Sequence, residues 1–85
     1  MFYYIDTIEQ TKGENDAVNE YGKREIVKDS DGNPASLDTV LSKFYKKCSD
    51  VSADIGKNHY YMDIKIVNSL GNIEKKDVLG KYFEG

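Results

Sequence analysis

Cys48 and His59 are the only two residues of their kinds in the chain, and together they are the one pair that could make a thiol nucleophile and its base. A working thiolate needs partial exposure and a base or a helix N-terminus beside it. Cys48 has neither in prospect. It falls on an apolar stripe with Leu37, Leu41, Phe44, Val51 and Ile55, spaced alternately four and three apart, which is the seam of a helix. It lies in the later half of that helix and reads as a core cysteine. His59 precedes a strand, beside Tyr60 and Tyr61. Pairing it with Cys48 would require the thiol to turn out of the core, so His59 reads as a structural or surface histidine. A single cysteine also excludes an intrachain disulfide and a multi-cysteine zinc site.

The run Asp29-Ser30-Asp31-Gly32-Asn33-Pro34 invites a calcium reading. A calcium-binding EF-hand loop needs acids at its first, third and fifth positions, glycine at the sixth and glutamate at the twelfth. Here the glycine comes fourth, proline takes the sixth place, and the glutamate is missing, so the run reads as a turn leading into a helix cap. The glycines are scattered singly and make no phosphate-cradling loop. There is no GxSxG, HExxH or CxxC. No catalytic residue, metal or cofactor is expected, and the chain is not expected to be an enzyme.

Seven tyrosines in 85 residues are many. Exposed on a sheet they could stack bases, but the net charge of −3 and the pI near 5.0 give no long-range attraction to nucleic acid. Tyrosine also favours protein interfaces, where it buries much area at low entropic cost. Residues 1 to 20 carry Asp6, Glu9, Glu14, Asp16 and Glu20 against only Lys12, which suits a partner with a basic surface. Lys43, Lys46 and Lys47 share their helix with Asp38, Asp50 and Asp54 and read as a solvated face.

The elements that must hold these residues form one α+β domain, since the length allows no more than one. Residues 2–8, rich in aromatic and β-branched types, predict a strand, with Gln10 to Asp16 as a loop. A second strand is expected over about Ala17 to Val27, with Gly22 as a bulge or break. The helix is expected over about 36–55, capped by Asn33 or by Ser36, with Val40 and Tyr45 widening its stripe and Gly56 stopping it. A hairpin follows over about 58–79. Tyr60, Met62, Ile64 and Ile66 face the helix, and Tyr61, Asp63, Lys65 and Val67 face away. Ser69 to Asn72 makes the turn, and Ile73 to Leu79 returns. Gly80 to Gly85 is expected as a loose tail that Tyr82 and Phe83 could pin. The order is β-β-α-β-β, an antiparallel sheet packed on one amphipathic helix. Its second face is uncovered, with Tyr61, Val67 and one face of the first strand exposed there as a contact site.

The opening Phe2-Tyr3-Tyr4-Ile5-Asp6, the helical Leu41-Ser42-Lys43-Phe44-Tyr45-Lys46-Lys47 and the hairpin Val67-Asn68-Ser69-Leu70-Gly71 together resemble small uncharacterised accessory proteins of phages and mobile elements of gut-type Gram-positive bacteria. The resemblance spans most of the chain and has no defining motif, so it transfers no functional residue. It implies a protein that acts by binding, as some of that kind inhibit bacterial defence complexes, CRISPR effectors among them. The expectation is therefore a non-enzymatic protein-interaction module in the cytoplasm of a bacterial host. Its partner-binding residues are expected to be Tyr3, Tyr4, Glu9, Glu14, Glu20, Tyr61 and Asp63. A small oligomer, such as a homodimer, that sequesters a small ligand between subunits is the first alternative. A nucleic-acid-binding sheet is the second. The N-terminus lacks the basic and apolar regions of a signal peptide, and no apolar run is long enough to span a bilayer.

Overall fold

A computed structural model describes residues 1–12, 17–58 and 61–80, with side chains at all of these except 12, 53–58, 61 and 80. The expected loop at 13–16, His59, Tyr60 and the tail with Tyr82 and Phe83 lie outside the described residues, as do the side chains of Ile55 and Tyr61. The element order is the expected one: β1 (Tyr3–Lys12), β2 (Val18–Val27), α1 (Leu37–Asn58), β3 (Tyr61–Asn68) and β4 (Ile73–Gly80). The four strands form one antiparallel sheet in the order β2-β1-β3-β4.

Alternation along each strand sends one set of side chains to the helix. Ile5, Met62, Ile64 and Ile66 are buried there with Val40, Phe44 and Cys48 of α1 and with Val27 and Ala35. Leu37, Leu41 and Val51 pack on the margin of this core, as does Tyr3. The helix lies over β1, β3 and β4. It meets β2 through Val27 in the core and through an ion pair from Lys43 to Glu25. Of the two caps the sequence allows, Ser36 is the one used: its Oγ accepts the Thr39 amide at 3.3 Å and its carbonyl accepts the Val40 amide at 3.0 Å.

Several boundaries differ from expectation. β1 runs on through Lys12, because Gln10, Thr11 and Lys12 find partners in Glu20, Asn19 and Val18. Gly22 makes neither bulge nor break, since the β1–β2 register is continuous across it. The irregularity lies instead between Ile66 and Val67, which pair with Lys75 and Ile73 and leave Glu74 as the extra residue. Gly56 does not stop the helix, which continues to Asn58; an internal glycine costs only about 1 kcal/mol and is tolerated. Tyr45 is exposed rather than part of the buried stripe. Its ring meets Phe44 edge-on and carries Lys75 above it at 5.4 Å.

The acidic run at 29–33 is a turn, and the hairpin between β3 and β4 repeats it. Asp29-Ser30-Asp31-Gly32-Asn33 and Asn68-Ser69-Leu70-Gly71-Asn72 share a Ser, a Gly and an Asn at the same places. In each, the first residue's side-chain oxygen accepts the amides of the third and fifth residues. In each, the glycine takes a positive φ, 81° at Gly32 and 87° at Gly71, which an L side chain adopts only at a cost. The Asp29 Oδ1 is thus committed to backbone amides.

Candidate interaction face

The strand order decides which side chains stand together on the face away from the helix. Direct pairing across the ladders makes rows. One row is Ile26, Tyr4, Val67 and Ile73, apolar or aromatic throughout. The next is Arg24, Asp6, Lys65 and Lys76, all charged. The third is Gly22, Ile8, Asp63 and Val78. Among the described residues no element covers this face.

Cross-strand neighbours set the local electrostatics. Arg24 donates from Nε and Nη2 to the two carboxylate oxygens of Asp6, each at 2.7 Å, a forked pair. This holds the guanidinium pKa above its usual value. The same guanidinium lies 4.9 Å from the centre of the Tyr4 ring, within cation–π range. Lys65 stands between Asp6 and Lys76 with no ion pair of its own among the described residues. Asp63 reaches Lys76 only at 3.9 Å through Oδ2. Its Oδ1 is buried without a hydrogen-bond partner among the described residues.

The structure divides the residues expected to bind a partner. Tyr4, Glu20 and Asp63 lie on the open face, and Tyr61 holds a register position there, opposite Gln10. Tyr3 and Glu9 lie on the helix side, Tyr3 against the core and Glu9 opposite Met62. Glu14 lies outside the described residues. Among the described residues, the acids of the N-terminal segment therefore divide between the two faces, with Asp6 and Glu20 on one and Glu9 on the other. Val67, expected to be exposed, is only 6% exposed, because Tyr4 and Ile73 stand directly against it from both sides. Among the described residues, the exposed apolar ones of this face are Ile8, Ile26, Ile73 and Val78; the sequence expects exposure on one face of the first strand but does not place Ile26, Ile73 or Val78 there. The signal for Ile8 was present in the alternation Tyr4, Asp6, Ile8, Gln10. For the others it needed the pairing.

Of the residues considered for chemistry, His59 lies outside the described residues. Cys48 is buried, and burial, helped by the Asp77 carboxylate, pushes its thiol pKa up, away from the reactive thiolate. Among the described residues no group of three or more His, Cys, Asp or Glu is placed to hold a metal, and no described helix is long and apolar enough to cross a membrane. No protein-family model, curated protein or solved structure matches the chain.

Proposed function

We propose that the chain is a non-enzymatic protein-interaction module that docks through the open face of its sheet. The observation that carries this reading is the apolar row Ile26–Tyr4–Val67–Ile73 set beside the charged row Arg24–Asp6–Lys65–Lys76 on a face no described element covers. An apolar strip rimmed by charges is how protein interfaces are composed. The contact rests on the apolar row, with the charged row setting orientation. In the setting that the resemblance implies, the partner is a bacterial defence complex, which the protein inhibits in the cytoplasm of the host. Base stacking is less well served, because Arg24 already lies over Tyr4.

The test compares wild type with Val78→Lys and Ile73→Lys on the open face, and with Lys46→Ala on the solvent side of the helix. Both changed face positions are exposed, so the fold should tolerate them. Each protein is assayed for binding to, and inhibition of, purified bacterial defence effectors. Loss of inhibition in the two face variants alone supports the reading. An inhibitor unaffected by them binds through another surface, and the reading fails.

A further inference from the structure

We propose that two copies of the chain join edge to edge through β2, antiparallel and centred on Gly22, to make one continuous eight-stranded sheet. The sheet has two edges, β2 and β4. Edge strands are normally guarded by bulges, lysines or a covering segment. Both edges carry consecutive basic residues, Lys23 and Arg24 on β2 and Lys75 and Lys76 on β4, but only β4 has a bulge, where the extra residue Glu74 interrupts its ladder. β2 has an uninterrupted ten-residue ladder to β1. Among the described residues its outer side is occupied only at its end, where the Ala35 amide donates to the Val27 carbonyl and Pro34 bridges Lys28. The open stretch is therefore Val18 to Ile26, and Gly22 is its midpoint.

That stretch is complementary to itself when reversed. With Gly22 opposite Gly22 of the second copy, Val18 meets Ile26, Asn19 meets Glu25, Glu20 meets Arg24 and Tyr21 meets Lys23. Each meeting is favourable: apolar with apolar, amide with carboxylate, acid with base, ring with cation. Partners in this register have the same parity, so they lie on the same face and in the same hydrogen-bonding phase. Shifting the centre destroys the match. Centring on Lys23 sets Lys23 against itself and Ile26 against Glu20. Centring on Tyr21 sets Val18 against Arg24. Centring on Glu20 or Arg24 sets like charges together.

Space permits the joint. α1 lies over β1, β3 and β4, so two β2 strands would separate the two helices. Tyr21, 59% exposed on the helix side of β2, would gain Lys23 of the second copy as cover. Asp6 takes only Nε and Nη2 of Arg24, which leaves Nη1 for Glu20 across the joint. The open faces of the two copies become continuous, so the dimer stands whether or not that face binds a partner.

The test is a charge swap on the full chain, read by sedimentation over about 1 to 100 μM, which brackets micromolar affinities. Wild type should dimerise. Glu20→Arg alone sets an arginine against Arg24 of the other copy, twice by symmetry, and Arg24→Glu alone sets two glutamates together twice. Each should weaken dimerisation at least about tenfold. An equimolar mixture of the two variants restores both opposite-charge pairs and should recover a heterodimer. Gly22→Cys supplies a second readout, since a Cβ at Gly22 meets nothing within 4 Å and Cys48 is buried. It should cross-link to a covalent dimer on mild oxidation, whereas Asn19→Cys, which faces Glu25 in this register, should not. A wild type that stays monomeric throughout overturns the proposal. A dimer that survives both single swaps, or a mixture that does not recover, overturns this joint.

Discussion

Asp29 and Asn68 do the same work in two different loops: each accepts two backbone amides on its side-chain Oδ1 and is followed three residues later by a glycine of positive φ. They differ in their second atom. Asn68 is buried and donates from Nδ2 to Glu74 at 2.8 Å, whereas Asp29 is exposed. Asp29→Asn should therefore change stability by less than about 0.5 kcal/mol, and Asp29→Ala should cost about 1 kcal/mol as the amides lose their acceptor. Asn68→Asp should cost more than about 1 kcal/mol, because it replaces a donor by a second carboxylate facing Glu74 in a buried site. Urea denaturation of the three variants checks the order. Equal costs for Asp29→Asn and Asn68→Asp would mean that the Glu74 contact contributes nothing.

The local physics of these loops also explains what was readable in the sequence. Turn residues, the stripe Leu37, Leu41, Phe44, Cys48, Val51 and the alternation Met62, Ile64, Ile66 are all set by neighbours in the chain, and each appears in the structure. The helix end was missed because glycine's preference for a stop is weak against continued packing. Val67 was misplaced because its burial comes from Tyr4 on β1 and Ile73 across a bulge. The open face follows from one helix covering one sheet, but its rows do not: they exist because β1 sits between β2 and β3. The β1–β3 contact joins strands separated by a hairpin partner and a helix, and no local signal encodes it.

Among the described residues, nothing recovers the cost of burying one oxygen of Asp63. Its Oδ1 is buried and unpartnered among the described residues, and its Oδ2 stands 3.9 Å from Lys76. A partly exposed pair at that distance is worth little, while an unsatisfied buried acceptor costs about 1–3 kcal/mol. Asp63→Val should raise stability by about 1 kcal/mol, a gain of about 4–8 °C in melting temperature for a domain of this size. Lys76→Ala should leave it nearly unchanged. If the open face is the docking surface, Asp63→Val should weaken partner binding even as the fold is stabilised. A destabilised Asp63→Val would show that Oδ1 is not an orphan.

Glu25 ties the edge strand to the helix, and the hydrogen bond from Lys43 holds its pKa below the ordinary 4.5, with partial burial opposing. A carboxylate with a folded-state pKa below its unfolded value adds stability at pH above the unfolded value. That stability is lost as pH falls through the folded value. Glu25→Gln should thus be less stable than wild type at neutral pH by up to about 1 kcal/mol, the scale of a partly exposed ion pair. The gap should close in acid, as pH falls through the lowered folded-state value. A gap that persists unchanged at low pH would assign the loss to packing rather than to the charge pair.

Cys48 tests the core and the reactivity of its thiol together. Burial raises its pKa, Asp77 adds to the rise, and Lys75 opposes it. Only the thiolate attacks a disulfide reagent, and a buried thiol must wait for the fold to open. Modification of the native protein should be at least about a hundredfold slower than in denaturant, with the rate following the population of open chains. Cys48→Ser should destabilise more than Cys48→Ala, because it sets a hydroxyl among the buried apolar side chains of the core, Phe44, Val40 and Ile64 among them. Rapid labelling of the native protein would place the thiol at the surface and return it to consideration as a nucleophile. Slow labelling with the serine penalty fixes it as a packing residue.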